Sequence, residues 1–116
     1  MKKTLDELGQ AAVIRNYINN CRNRNLVYSM PNEIMIKIFK SECYYCGQVP
    51  SNKMKICGQN QPYAYNGLDR IDNNRGYVPD NVVPCCKRCN KAKSNKTKEE
   101  FLNWVHDIKK RVFNDE

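Results

Sequence analysis

Four cysteines form two pairs, and the spacing within each pair is that of a zinc knuckle. Cys43 and Cys46 are separated by two tyrosines, and Cys86 and Cys89 by lysine and arginine. A gap of two residues lets both thiolates of a pair reach one tetrahedral ion. The 39 residues between the pairs are no obstacle, because the cost of closing a loop grows only with the logarithm of its length. The spacing predicts one structural Zn²⁺ bound by all four cysteines, with redox chemistry as the weaker alternative.

The other three cysteines have no partner at this spacing. Cys85 lies directly beside Cys86 and could compete for the metal, but we assign it to packing. Cys21 and Cys57 are isolated in the chain, and the default for such a residue is a small buried hydrophobe. The odd total of seven cysteines also argues against a disulfide framework.

Three residues with oxygen-bearing side chains lie around the second pair: Asp69, then Asn81 before a short apolar strand, and Asn90 directly after the CxxC pair. Over roughly residues 43 to 95 this pattern resembles the motif of the HNH nucleases, also called ββα-metal nucleases. In the family, the Asp of an Asp-His pair and the final His or Asn bind one divalent ion. The middle Asn holds the hairpin loop.

The resemblance implies a role for each of these residues. Asp69 and Asn90 would be the protein ligands of a catalytic Mg²⁺ or Mn²⁺, and Asn81 would brace the loop. Oxygen ligands suit such an ion, which keeps several waters and binds substrate phosphate. The structural alternative is that Asp69 caps a turn and Asn90 caps a helix.

Arg70 departs from the family pattern, because the catalytic histidine would follow Asp69. A guanidinium group is always protonated, so Arg70 cannot accept a proton. His106 is the one histidine in the chain, and it lies among apolar positions of the last helix. We expect it to be a surface or packing residue rather than a base.

Tyr45 is the residue that could replace the histidine. Some restriction enzymes of this superfamily resemble the chain in carrying Asp-Arg and a tyrosine just before the second cysteine of the first knuckle. In them the tyrosine is thought to act at the reacting phosphate. Arg70 and a metal ion would lower the pKa of Tyr45, whereas a zinc centre of formal charge 2 − 4 = −2 would oppose its ionisation. Tyr45 as base or water-orienting group is therefore a hypothesis.

If Tyr45 only packs, two other readings remain open. The metal alone could activate water while Arg70 clamps the phosphate. Alternatively, the site could have lost catalysis and kept binding.

The charge of the chain indicates a polyanionic partner. Twenty basic residues against twelve acidic ones leave a net charge of +8. Six of the basic residues fall between residues 87 and 98, a stretch without an acid. Clustering of this kind favours nucleic acid over a merely solvated surface. Two groups would contact DNA: Lys87, Arg88, Lys91 and Lys93 at phosphates, and Arg22, Arg24 and Asn25 at bases or the same backbone.

Length and composition favour one soluble domain over residues 1–116. We divide it into a helical N-terminal part (1–42), a zinc and ββα-metal core (43–95) and a C-terminal helix (97–113). No apolar run approaches the roughly 20 residues that span a bilayer, and the first residues do not continue into a secretory signal. We expect a cytoplasmic protein of a bacterial or phage-infected cell, with no membrane partner.

Helical periodicity marks three helices that would position the site. Apolar residues spaced by three or four predict a helix over about 4 to 22 and a short one after Pro31. Thr97 and Glu100 form a capping box for the last helix. The apolar stripes are expected to be core, with Trp104 beside the last one: Leu8, Ala11, Ile14, Ile18, Cys21; Ile34, Met35, Ile38, Phe39; Phe101, Val105, Ile108, Val112.

The middle of the chain predicts a loop, a hairpin and a helix. Residues 47–62 are polar and irregular and are expected to be loop. Tyr63, Tyr65 and Leu68 alternate with other residues and predict a strand ending at Asp69. Asn73 to Gly76 is a turn signal, and Val82 begins the return strand. The second knuckle then opens a helix.

These observations predict an α+β fold: a small zinc-stapled ββα-metal (HNH) domain with flanking N- and C-terminal helices. The expected function is divalent-metal-dependent hydrolysis of DNA, double-stranded in the simplest reading, by a restriction or phage-encoded nuclease. A homodimer would follow from a palindromic target. The alternatives are a non-catalytic zinc module that binds nucleic acid and, less favoured, a protein interaction domain.

Overall fold

Two helices at the start of the chain pack their apolar sides together. The structure is a computed structural model and describes residues 2–113, so Met1 and residues 114–116 of the predicted domain lie outside it. Helix α1 spans Leu5–Asn23 and begins with a capping box between Thr4 and Glu7. Helix α2 spans Asn32–Phe39, with Pro31 at its N-cap. Within residues 2–113, neither α1 nor any other helix has the length and apolar character needed to cross a membrane.

Two short antiparallel hairpins follow the helices. Strands β1 (Asn52–Met54) and β2 (Tyr63–Tyr65) pair with each other, and β3 (Gly67–Arg70) pairs with β4 (Val82–Cys85). Asp69 lies opposite Val83 in the second hairpin. Helix α3 (Lys87–Lys93) comes directly after β4, so β3, β4 and α3 form a ββα unit.

The first hairpin corrects two expectations from the sequence. The segment expected to be loop over residues 47–62 contains β1, a strand too short and polar to show alternation. The single strand expected from Tyr63 to Asp69 is divided at Asn66 into β2 and β3. Asn66 is fully buried, and its backbone N–H donates to the carbonyl of Phe39 at 3.0 Å instead of continuing the first hairpin.

The hydrophobic core lies between the two N-terminal helices and the strands. Met35 and Phe39 on α2 are fully buried, as the stripe on that helix predicts. On α1, Val13 is buried more deeply than the predicted Leu8 or Ala11, so the inward face is rotated from the predicted stripe. The buried members of this core are Val13, Ile14, Met30, Met35, Ile38, Phe39, Tyr63, Leu68 and Val82.

Helix α4 (Lys98–Val112) contradicts the expectation that its apolar stripe is core. Its capping box is present, and Phe101 is buried. Val105, Ile108 and Val112 are 43%, 42% and 66% exposed. Periodicity identifies residues that share a face of a helix, but it does not determine what covers that face.

Cys57 was also wrongly expected to be buried. It is exposed in the loop between β1 and β2, whereas Cys21 and Cys85 are buried as predicted. His106 lies on the exposed surface of α4.

Candidate active site and metal centre

The two cysteine pairs converge on one point between the first knuckle and the start of α3. The Sγ atoms of Cys43, Cys46, Cys86 and Cys89 all lie within 4.8 Å of one another. Tetrahedral zinc with Zn–S bonds of about 2.3 Å requires S···S distances of about 3.8 Å. Cys46 Sγ and Cys86 Sγ are 3.7 Å apart. The four cysteines could therefore hold a metal ion such as zinc.

Backbone hydrogen bonds shape both knuckles. In the first, Gly47 adopts a φ of +77° and donates its N–H to Cys43 O at 2.9 Å. In the second, Cys86 caps α3, and its Sγ accepts from Cys89 N at 3.4 Å. The two knuckles are joined because Tyr44 N donates to Pro84 O at 2.8 Å.

The electrostatics favour thiolates in part of this cluster. Burial would raise the pKa of Cys43, but hydrogen bonds from backbone N–H groups outweigh it and lower that pKa to about 6. Burial would also raise the pKa of Cys46, but hydrogen bonds outweigh it and lower that pKa; they come from the backbone of Gln48 and from side chains that include Arg88, which donates to Cys46 Sγ at 3.8 Å. Cys85 lies outside the cluster: burial raises its pKa, and its thiol donates to Cys86 O at 3.4 Å.

Asp69 lies beside this centre and is held by two side chains. Its carboxylate is 6% exposed. Tyr45 Oη donates to Oδ2 at 2.7 Å, and Lys93 Nζ lies 3.2 Å from Oδ1. Lys93 also donates to Arg70 O at 3.1 Å. Both carboxylate oxygens therefore have a partner from another part of the chain.

The position of Lys93 contradicts the prediction that this residue contacts DNA phosphates. Its side chain is completely buried and is paired with Asp69. The run of basic residues suggested a solvated helix face, but α3 packs the side that carries Cys89 and Lys93 inward. A lysine in this position neutralises a buried carboxylate and cannot reach a phosphate outside the protein.

Asp69 faces a cavity of about 340 Å³ that brings together several of the predicted residues. Arg70 and Asn90 line it, together with Arg24 from the end of α1. Arg22 and Tyr45 are not among the lining residues, although Tyr45 reaches Asp69 by its hydroxyl. The remaining lining residues are Leu68, Asn73, Tyr77, Ser94 and Asn95.

Arg70 uses part of its guanidinium to hold the loop after β3. Nη1 donates to Asn73 O and to Arg75 O, both at 2.9 Å. The guanidinium carbon also lies 5.4 Å from the centre of the Tyr77 ring. Nε and Nη2 of Arg70 have no hydrogen-bond partner among residues 2–113, so these donors are available to a ligand.

Asn81 is buried, and its side chain bonds to the loop between β3 and β4. Oδ1 accepts from Asp72 N at 2.9 Å, and Nδ2 donates to Asp72 O and Gly76 O, both at 3.0 Å. Three hydrogen bonds from one buried amide fix the path of this loop. Asn81 is not among the residues that line the cavity.

Tyr45 is a neutral hydrogen-bond donor in this arrangement. Burial, followed by the hydrogen bond to Asp69, raises the pKa of Tyr45 well above its ordinary value. Its ring packs edge-on against Phe101 of α4, with the ring centres 5.2 Å apart. Tyr45 therefore links the first knuckle, the carboxylate and the last helix.

The remaining basic residues of α3 lie at a different cavity. Lys87, Arg88 and Lys91 line a cleft of about 700 Å³ together with Lys53 of β1. Gln48, Ser51, Asn52 and Cys86 complete its lining. This basic cleft and the Asp69 cavity both include residues of α3 or its C-cap, but they share no lining residue among residues 2–113.

Asn66 is a positioning residue that the sequence analysis missed. Its Nδ2 donates to Ser41 O at 2.8 Å and to Gln48 O at 3.0 Å, at either side of the first knuckle. The signal available in the sequence was an amide between two strand-like segments, at a place where an apolar residue would have continued the strand.

Sequence comparison relates the chain to a viral protein. No family model matches the sequence. An uncharacterised protein of Acanthamoeba polyphaga mimivirus is 33% identical over 79 residues, which is 68% of this chain and 13% of that protein. The chain thus spans only a small part of that relative's length.

A solved structure establishes the fold. The rare-cutting HNH restriction endonuclease PacI matches with a TM-score of 0.66 and 20% identity, over 96% of this chain and 89% of that one. The protein therefore has the small α+β fold of the HNH nucleases, and the fold class expected from the sequence is confirmed. At this identity the likeness concerns the fold alone.

The cysteine cluster predicts one zinc ion per chain. Cys89→Ser should lower bound zinc well below one equivalent and lower the melting temperature, because a structural zinc site contributes folding free energy directly. Cys57→Ser is the matched control, since Cys57 is exposed and outside the cluster. Elemental analysis and thermal unfolding measure both effects. A full equivalent of zinc in Cys89→Ser would contradict this site.

The buried ion pair predicts a large stability loss on removal of Lys93. Lys93→Met keeps much of the aliphatic length but leaves Asp69 without its cation, which should cost about 3–5 kcal/mol. Urea unfolding measures this free energy. Lys91→Met, on the exposed side of the same helix, should change it by less than about 0.5 kcal/mol. Equal effects of the two substitutions would show that the pair is not needed.

Proposed function

We propose that the protein is a divalent-metal-dependent endonuclease that hydrolyses DNA phosphodiester bonds. The observation that carries the proposal is the single buried carboxylate of Asp69 at a polar cavity shared with Arg70 and Asn90, inside an HNH fold. The net charge of +8 supports a polyanionic substrate. Double-stranded DNA and a restriction or phage setting are the finer parts of this proposal.

Asp69 and Asn90 fit the ligand set of a Mg²⁺ or Mn²⁺ ion. Both offer oxygen atoms, both line the same cavity, and its 340 Å³ leaves room for water and a phosphate group. Each oxygen of Asp69 keeps a lone pair besides the one used by Tyr45 or Lys93. A divalent cation held there would offset the negative charge that develops on the phosphoryl and leaving oxygens.

Arg70 is the fixed positive charge of the proposed site. Its Nη1 bonds to Asn73 O and Arg75 O hold the guanidinium at the cavity, so little reorganisation is needed when a phosphate arrives. The remaining donors on Nε and Nη2 can bind phosphate oxygens. Because the guanidinium does not lose its proton, Arg70 acts here as a clamp and not as a base.

Tyr45 replaces the missing histidine as a hydroxyl group next to the carboxylate. By donating to Oδ2, it fixes the orientation of Asp69 and presents its own oxygen close to the reacting phosphate. We assign it the orienting role that the hydrogen bond supports. The base role raised by the resemblance remains a hypothesis for this residue.

The main alternative is a nucleic-acid-binding zinc module without catalysis. The Lys93–Asp69 pair favours it, because an ammonium group already neutralises the carboxylate and a metal is not required for charge balance. The two functions differ in their need for a divalent ion. A binder would show salt-dependent DNA affinity and no strand cleavage.

Plasmid cleavage separates the two proposals. The wild-type protein should cut supercoiled plasmid only with added Mg²⁺ or Mn²⁺, and Asp69→Asn should lower the rate by about a hundredfold or more. Asp107→Asn, on the exposed surface of α4, is the matched control and should cut like wild type. Absence of cutting on several DNAs and with several ions, with zinc and salt-dependent DNA affinity retained, would assign the binding module.

A second comparison tests Tyr45 within the same reaction. Tyr45→Phe preserves the ring packing on Phe101 and removes the hydroxyl, so we expect a cleavage rate about ten- to a hundredfold lower with unchanged DNA affinity. Tyr44→Phe is the control, because the Tyr44 hydroxyl accepts from Lys98, whereas it is Tyr45 that donates to Asp69. Single-turnover cleavage and binding without added Mg²⁺ are the measurements. A Tyr45→Phe protein that cleaves as fast as wild type would remove the role.

A further inference from the structure

Two segments that are far apart in the sequence contain no carboxylates and meet at one cavity. Residues 43–68 and residues 81–98 contain no Asp or Glu, although the chain has twelve. The first segment includes the β1–β2 hairpin, and the second includes α3. The segments meet at the basic cleft, the cavity lined by Lys53, Lys87, Arg88 and Lys91.

The hairpin is fixed to α3 at this cleft. Asn52 Oδ1 in β1 accepts from Lys87 N at 3.0 Å, which joins the edge of the hairpin to the start of the helix. Four cationic side chains around a cavity of about 700 Å³ can follow a phosphate backbone. Such contacts position a duplex, but they convey no information about its sequence.

The loop at the end of the hairpin carries a different chemistry. Gln59, Asn60 and Gln61, here called the amide loop, are consecutive and exposed. They line a shallow cavity of about 290 Å³ whose lining includes Lys53 as well, so this cavity adjoins the basic cleft. Asn and Gln side chains can donate to adenine N7 and accept from adenine N6 at the same time, which distinguishes adenine from the other bases.

We propose that the amide loop reads adenine-containing sequence in the DNA whose phosphates occupy the basic cleft. This inference rests on the proposed function in so far as DNA is the substrate. It assigns the base-reading task to the β1–β2 hairpin, for which the sequence analysis expected only an irregular loop. Arg24, one of the residues first considered for base contacts, lines the Asp69 cavity and belongs with the reacting phosphate.

A selection from a randomised duplex pool tests the proposal. Binding is measured without added Mg²⁺, so that cleavage does not enter the result. Wild type should enrich adenine at defined positions. The triple variant Gln59→Ala/Asn60→Ala/Gln61→Ala should lose about tenfold in preference for the selected duplex over a scrambled one. Its affinity for the scrambled duplex, its salt dependence and its zinc content should remain those of wild type.

Two further variants complete the test: one should change which base is preferred, and the other is a control. Asn60→Arg should change the preferred base from adenine to guanine at one place in the site, because arginine pairs with guanine O6 and N7. Asn19→Ala/Asn103→Ala removes two exposed amides from α1 and α4 and should leave the selection unchanged.

The outcome separates this inference from the proposed function. If wild type selects no sequence, or the triple variant selects the same sequence as wild type, the amide loop is not the reading element, whatever the plasmid assay shows. If sequence selection depends on the amide loop but no DNA is cut, the reading element stands and the nuclease proposal fails.

Discussion

The whole site depends on bringing the two cysteine pairs to one point. This closure sets residues 43–46 against residues 86–89 across 39 residues of intervening chain, and it joins the first knuckle to the ββα unit. The hydroxyl of Tyr45 can reach Asp69 because Cys43 and Cys46 are held in this way. A metal ion bound by the four sulfur atoms would add folding free energy to that of a limited apolar core.

The second constraint is the buried charge of Asp69. A carboxylate that is 6% exposed needs partners, and Lys93 and Tyr45 supply them from α3 and from the first knuckle. These contacts compensate the negative charge of the carboxylate before any ligand binds. A divalent cation would therefore enter a site whose oxygens are already oriented, at the cost of sharing them with an ammonium group.

The distribution of charge differs between the two cavities of the site. The Asp69 cavity combines one acid with arginine and amide groups, whereas the basic cleft contains cations without an acid. The apolar face of α4 is a separate feature: Phe101 anchors the helix through Tyr45, and the residues that continue the stripe remain exposed. The sequence shows which residues share a face of a helix, but it does not show which segments of the protein pack against that face.

The sequence alone was enough for the local features. Residue spacing indicated the two knuckles and the capping box of α4, and apolar stripes indicated α1, α2 and α4, because these patterns depend on contacts within a few residues. The HNH-like fold followed from the resemblance of residues 43–95. Only the tertiary structure decided the rest: that Lys93 is buried against Asp69, that Asn66 divides a strand to hold the first knuckle, and that β1 exists. Burial and charge pairing depend on contacts between segments that are distant in the chain. The pattern of residue types along the sequence does not show which distant segments will be in contact.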